Sequence, residues 1–112
     1  MNTNKIISLI EKGKQLGISK IIKIENSQYV YTYAIQKLNG KYIVYTDEYN
    51  LDEYYANELE KTEVVRLYDT VSDVISDFQS QYGITFEDIT PSKGQKFFNA
   101  NLYVQTYSNP IK

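Results

Sequence analysis

The side chains able to do chemistry in this chain are fourteen carboxylates, eleven lysines, one arginine (Arg66) and twelve tyrosines; histidine and cysteine are both absent. Without histidine, no side chain has an ordinary pKa that places a general base near neutrality, and the commonest metal ligand is missing. Serine–histidine and cysteine–histidine nucleophiles are excluded, as are disulfides and thiolate metal sites. A zinc site would have to be made of carboxylates alone, which is unusual. The single arginine leaves one residue for two-point recognition of phosphate or carboxylate. This inventory predicts a protein that is not an enzyme, takes no cofactor and no metal, and works by binding.

The carboxylates are not evenly spread. Residues 1–46 carry a balance of +5, residues 47–88 a balance of −10 and residues 89–112 a balance of +3, which together give the net charge of −2. The acidic stretch holds Asp47, Glu48, Asp52, Glu53, Glu58, Asp69, Asp73 and Asp77 among its twelve acids, against Lys61 and Arg66. Solvated helices usually intersperse both signs. Here Asp69, Asp73 and Asp77 fall on one helical ridge with no lysine beside them, a like-charge spacing that costs about 0.2–0.5 kcal/mol per pair. A sequence that carries this cost is consistent with a field kept for a basic partner. Exposed ion pairs contribute only ~0–1 kcal/mol each, so charge would supply rate and selectivity. Affinity would come from Tyr49, Tyr54 and Tyr55 within the same stretch, tyrosine being enriched among interface hot spots. The alternative is that the acids are the wet faces of two helices and a strand, with Asp52, Glu53 and Asp73 favouring helix N-termini.

Other motifs are weaker. Lys93-Gly94-Gln95-Lys96 lacks the spacing of a phosphate loop and reads as a surface turn. Asp47-Glu48 with Asp52-Glu53 lacks the central glycine of a calcium loop. No nucleic-acid-binding signature occurs, so direct contact with nucleic acid is not expected. No apolar run approaches the ~20 residues needed to span a membrane. Residues 1–5 lead into an amphipathic pattern with no secretory signal, which predicts a cytoplasmic protein.

The elements that must position these residues can be read from periodicity. Apolar residues from Ile6 to Leu16 at helical spacing predict a helix from about Asn4 to Leu16, ended by Gly17-Ile18. Lys20–Glu25, Tyr29–Leu38 and Lys41–Thr46 predict strands. Asn26-Ser27 is a turn, and Asn39-Gly40 is a two-residue hairpin loop opposing Leu38 to Lys41, Ile35 to Val44 and Tyr33 to Thr46. One face of that hairpin carries Tyr31, Tyr33, Ile35, Tyr42 and Val44. The other carries Val30, Ala34, Ile43 and Tyr45, and one of the two is expected to be a tyrosine-bearing outer face. Asn50-Leu51-Asp52-Glu53 predicts a short capped helix to about Glu60, Thr62–Tyr68 a fourth strand, and Asp69 or Thr70 the cap of a helix over Val71–Tyr82. Phe97-Phe98 and Leu102–Val104 are expected to tuck against the core. The order predicts one α+β domain over residues 1–112. Its antiparallel sheet has about four strands, with the N-terminal helix and one or two later helices packed on one side.

In overall make-up, and in the stretches Tyr82-Gly83-Ile84-Thr85-Phe86-Glu87-Asp88 and Pro91-Ser92-Lys93-Gly94-Gln95-Lys96-Phe97-Phe98-Asn99, the chain resembles the immunity proteins of bacterial toxin systems. The nearest type is those that protect against contact-dependent growth inhibition toxins. That resemblance implies a monomer binding one cognate toxin domain in a 1:1 complex, often a nuclease (a tRNase or DNase) with a basic groove, and blocking it. The same acidic surface would also suit a nucleic-acid mimic inhibiting a DNA-binding enzyme. A non-catalytic adaptor domain is the remaining alternative.

Overall fold

The computed structural model describes residues 2–52, 62–80, 84–92 and 94–103. The first helix, α1, spans Thr3–Glu11, and the side chain of Asn2 caps it by accepting from the Lys5 N–H at 2.8 Å. Ile6 and Ile10, one turn apart, are its buried residues, each worth about 1.5–3 kcal/mol in apolar burial. The helix is shorter than its apolar spacing suggests. Gly13 takes a left-handed φ of 87° and ends the helix four residues before Gly17, since only glycine enters that conformation freely.

Leu16 and Gly17 therefore belong to β1 (Leu16–Ile24), not to the helix and its cap. Gly17 is a glycine for a different reason from the one its position suggested. A Cβ there would lie 2.7 Å from the Tyr33 carbonyl oxygen, 2.8 Å from Ala34 Cβ and 2.9 Å from the Phe97 ring. Close packing across the sheet, not a turn, requires it.

Strands β2 (Ser27–Leu38) and β3 (Lys41–Asn50) form the long hairpin. The expected register holds: Leu38 opposes Lys41, Ile35 opposes Val44 and Tyr33 opposes Thr46. Asn39 and Gly40 have φ of 54° and 79°, the pair of positive values that a type I′ loop demands. The β1–β2 turn falls on Glu25 and Asn26, one residue earlier than expected, with Ile24 opposite Ser27. Strand β4 covers Thr62–Tyr68 and pairs with β3. A fifth strand, β5 (Thr90–Pro91), pairs with Leu16 and Gly17. The sheet is wholly antiparallel, in the order β4-β3-β2-β1-β5. The chain is thus an α+β protein with one more strand than the periodicity revealed; two residues of pairing leave no alternation to read.

The second helix, α2, spans Val71–Gln79, capped by the Thr70 hydroxyl accepting from the Asp73 N–H at 3.2 Å. The expected continuation to Tyr82 falls on residues outside those described. So does most of the short helix after Asn50: residues 51 and 52 are helical, and the Asp52 N–H donates to Asn50 Oδ1 at 2.8 Å. A 3-10 turn over Phe86–Asp88 follows, closed by a reciprocal Thr85–Asp88 capping box.

Helices α1 and α2 and the 3-10 turn cover one face of the sheet. Their core joins Ile6, Ile10, Val74, Phe78, Phe86 and Ile89 to Leu16, Tyr33, Ile35 and Val44. Tyr33 meets Phe78 edge-on at 4.2 Å between ring centroids, a geometry favoured by the ring quadrupoles. The opposite face is not the wet tyrosine face expected. Tyr45 is 3% exposed and stacks on Phe98 at 5.2 Å, within a second core of Ala34, Ile43, Tyr45, Phe98 and Ala100. Phe98 tucks in as its sequence implied, whereas Leu102 is 56% exposed and Val104 lies outside the described residues. Among the described residues no helix is long and apolar enough to cross a membrane.

Candidate interaction site

The tertiary structure treats the sequence's acids in three ways. The first is burial. Asp77, on α2, has a side chain only 4% exposed, and Arg66 on β4 grips it, Nε to Oδ2 at 2.7 Å and Nη2 to Oδ1 at 3.0 Å. The Tyr68 hydroxyl also donates to Asp77 Oδ2. The carboxylate holds the Arg66 guanidinium firmly protonated through these hydrogen bonds. Burial, and then Asp77, pushes the Tyr68 phenol up. Asp77 is thus turned inward rather than presented along a solvent ridge. Asp47 is also buried, on β3, and lies in register with Glu63 of β4. The Tyr45 hydroxyl stands 2.8 Å from an oxygen of each. One phenol has one proton to donate, so it serves one of the two carboxylates at a time. Burial, followed by these two acids, pushes the Tyr45 phenol up.

The second is neutralisation at the surface. Asp69 forms an ion pair with Lys41, brought to it by the β3–β4 pairing. The ridge of three aspartates thus has Lys41 at one end and Arg66 at the other, both supplied by strands. Asp73 stays exposed in the first turn of α2, where the positive end of the helix favours it.

The third is concentration at one corner of the sheet, where β3 ends and β4 begins. Glu48 is half-buried there, and Asp52 and Glu63 are exposed. On the helix-bearing side, Glu48 borders a cleft of ≈ 310 Å³ lined also by Tyr31, Thr46, Thr62, Arg66 and Ser80. Tyr49 is half-buried at the end of β3, opposite Val30. Glu53, Tyr54, Tyr55 and Glu58 lie outside the described residues. Sequence reasoning missed Tyr31, Arg66 and Ser80 as lining groups. They come from three separate elements, and no spacing along the chain links them. Among the described residues no group of three carboxylates converges as a metal ion would require.

A cleft of this size lies at the lower end of those that hold small ligands. Its chemistry is mixed: two carboxylates, Asp47 and Glu48, one guanidinium already occupied on one side by Asp77, and hydroxyls from Tyr31, Thr46, Thr62 and Ser80. It offers hydrogen bonds of both signs. The chain matches no protein-family model, no curated protein and no solved structure.

Proposed function

We propose that this protein is an immunity-type inhibitor that binds a basic toxin domain, such as a nuclease, in the bacterial cytoplasm and blocks it by covering its substrate-binding surface. The observation that carries the reading is the corner where β3 ends and β4 begins: Asp47 and Glu48 line a hydroxyl-bearing cleft, and Asp52 and Glu63 are exposed at the adjoining strand ends, at the head of the acidic stretch 47–63. A concentrated negative field accelerates encounter with a cationic surface by ~10–10³-fold and rejects acidic competitors. Tyr49, together with Tyr54 and Tyr55, supplies amphipathic rings for the desolvated contacts that charge alone does not provide.

The test is co-expression of the chain with candidate toxin domains, including any encoded by a neighbouring reading frame, with growth as the readout, followed by measurement of complex formation at rising salt. Protection from one such toxin, an association rate that falls with salt, and a further fall of at least tenfold in Glu48→Lys/Asp52→Lys are the expected results. If the double charge reversal binds as fast as the wild type at every salt concentration, the acidic corner is not the interface. If no co-expressed toxin is neutralised, the inhibitor reading fails.

A further inference from the structure

A second cleft lies near the opposite edge of the sheet, and its electrostatics are the reverse of the first. It measures ≈ 510 Å³ and is formed where the α1–β1 junction meets the segment after β5. Lys12, Gly13 and Lys14 form one wall; Ser92, Gly94 and Lys96 form the other. Residues 12–14 and 94–96, about eighty positions apart in the chain, are placed by the fold across one opening.

Three observations set this cleft apart from ordinary surface lysines. First, no carboxylate is among its lining residues. The other lysines at this end of the sheet are neutralised, Lys37 by Glu11 and Lys41 by Asp69. Lys12, Lys14 and Lys96 have no carboxylate partner among the described residues and are all exposed. Three like charges around one opening repel each other and are relieved by a bound anion. Second, Gly13 and Gly94 have φ of 87° and 77°. Neither glycine carries a side chain into the opening, and the Gly13 N–H is already bonded to the Ile10 carbonyl at 2.9 Å, so on that wall the ammonium groups and not the backbone would hold an anion.

Third, the two walls are fixed relative to each other. Gln15 is 3% exposed, and its amide uses all of its hydrogen-bonding capacity on the junction. It donates to Gln36 Oε1 and to the Phe98 carbonyl at 2.9 Å each, and accepts from the Phe97 and Phe98 N–H groups at 2.6 and 3.3 Å. The Gln15 carbonyl also accepts from the Ser92 N–H at 3.0 Å, and Gln36 donates to the Gly13 carbonyl at 3.3 Å. The lysines are thus carried on backbone pre-organised from both sides.

We infer that this cleft binds a small molecule bearing a di- or triphosphate, its phosphates held by Lys12, Lys14 and Lys96 as point charges. Ammonium groups serve phosphate in this way without the planar fork of arginine. Several negative charges on adjacent phosphorus atoms match three ammonium groups better than a single carboxylate would. Leu9 and Pro91 form an apolar margin against which the organic part of a nucleotide would rest. The residues concerned are separate from the acidic corner, so this site and the toxin-binding reading stand or fall independently.

Titration of the intact chain with inorganic tripolyphosphate and, separately, with ATP, by calorimetry and amide chemical shifts, tests it. Saturable 1:1 binding is expected, with shifts centred on Gly13, Ser92 and Gly94. Lys12→Gln/Lys14→Gln/Lys96→Gln should weaken it by at least about tenfold, from three contacts of modest strength each. Lys5→Gln/Lys20→Gln/Lys23→Gln, the same change in net charge elsewhere, should leave it within about twofold. Equal affinity for both probes identifies the phosphates alone as the ligand chemistry, and tighter ATP adds the apolar margin. Absence of saturable binding to either probe, or an equal loss in both triple variants, overturns the proposal.

Discussion

Asp77 of α2 and Arg66 of β4 meet at two points, Oδ2 to Nε at 2.7 Å and Oδ1 to Nη2 at 3.0 Å, with the carboxylate almost wholly removed from water. This pair ties α2 to the edge strand of the sheet, and Tyr68 completes the carboxylate's hydrogen bonding. Truncating one member of a buried pair leaves its partner's charge and donors poorly solvated. Arg66 keeps 35% exposure, which softens that penalty. Asp77→Ala should therefore lower the unfolding free energy by about 2–4 kcal/mol in urea titrations. Asp73→Ala, at an exposed position on the same helix, should cost less than about 1 kcal/mol.

Gln15 predicts a larger and more localised effect. Gln15→Leu keeps the volume but removes the acceptor of the Phe97 and Phe98 N–H groups and the donor to the Phe98 carbonyl. Each buried backbone group left unsatisfied costs about 1–3 kcal/mol, so a total loss of roughly 3 kcal/mol or more is expected. Amide exchange should accelerate first over residues 94–103 and at Tyr45, which stacks on Phe98.

The Tyr33 hydroxyl predicts the opposite sign. Its side chain is fully buried, and its oxygen has no hydrogen-bond partner among the described residues. Burial, and then the nearby Asp77 charge, raises the phenol's pKa. Tyr33→Phe retains the edge-on contact with Phe78 and removes a desolvated polar atom. Its melting temperature should match or exceed that of the wild type; a clear decrease would show that the hydroxyl contributes to folding.

Acid stability depends in part on Glu11. Its carboxyl is held below the ordinary value of 4.5, first by the hydrogen bond from Lys37 and then by that from the Tyr42 hydroxyl. A carboxylate depressed in the folded state stabilises above its unfolded pKa, and the stabilisation is lost as pH falls through the folded value. Asp88, held down chiefly by the Thr85 backbone N–H, acts in the same direction. The melting temperature should therefore fall on acidification below about pH 4.5. Glu11→Gln should flatten that slope without abolishing it, because the Asp88 contribution persists. Thermal melts from pH 2 to 7 on both proteins measure the difference.

What the sequence alone determined about this protein is what depends on neighbours in the chain. The Asn39-Gly40 loop and the pairing it sets across β2 and β3 follow from two positive φ values that these residues adopt at low cost. The bounds of β4 are equally local, as is the exclusion of histidine and cysteine chemistry; the cap of α2 is narrowed to Asp69 or Thr70, and the structure selects Thr70. The end of α1 was misplaced because two glycines four residues apart both look like helix stops, and only packing against Tyr33, Ala34 and Phe97 shows that Gly17 serves the sheet.

The fates of the acids were decided by tertiary structure. Asp77 was indistinguishable from Asp73 in sequence, since the cation that buries it stands eleven residues away on a strand. Tyr45 reads as an outward tyrosine until residues 97–103 fold across it. Residues 12–14 and 94–96, far apart in the chain, line one cleft because Gln15 binds the backbone on both sides of it. Charge and hydrogen bonding act through space, so contacts between residues this distant in the chain leave no periodic trace in it.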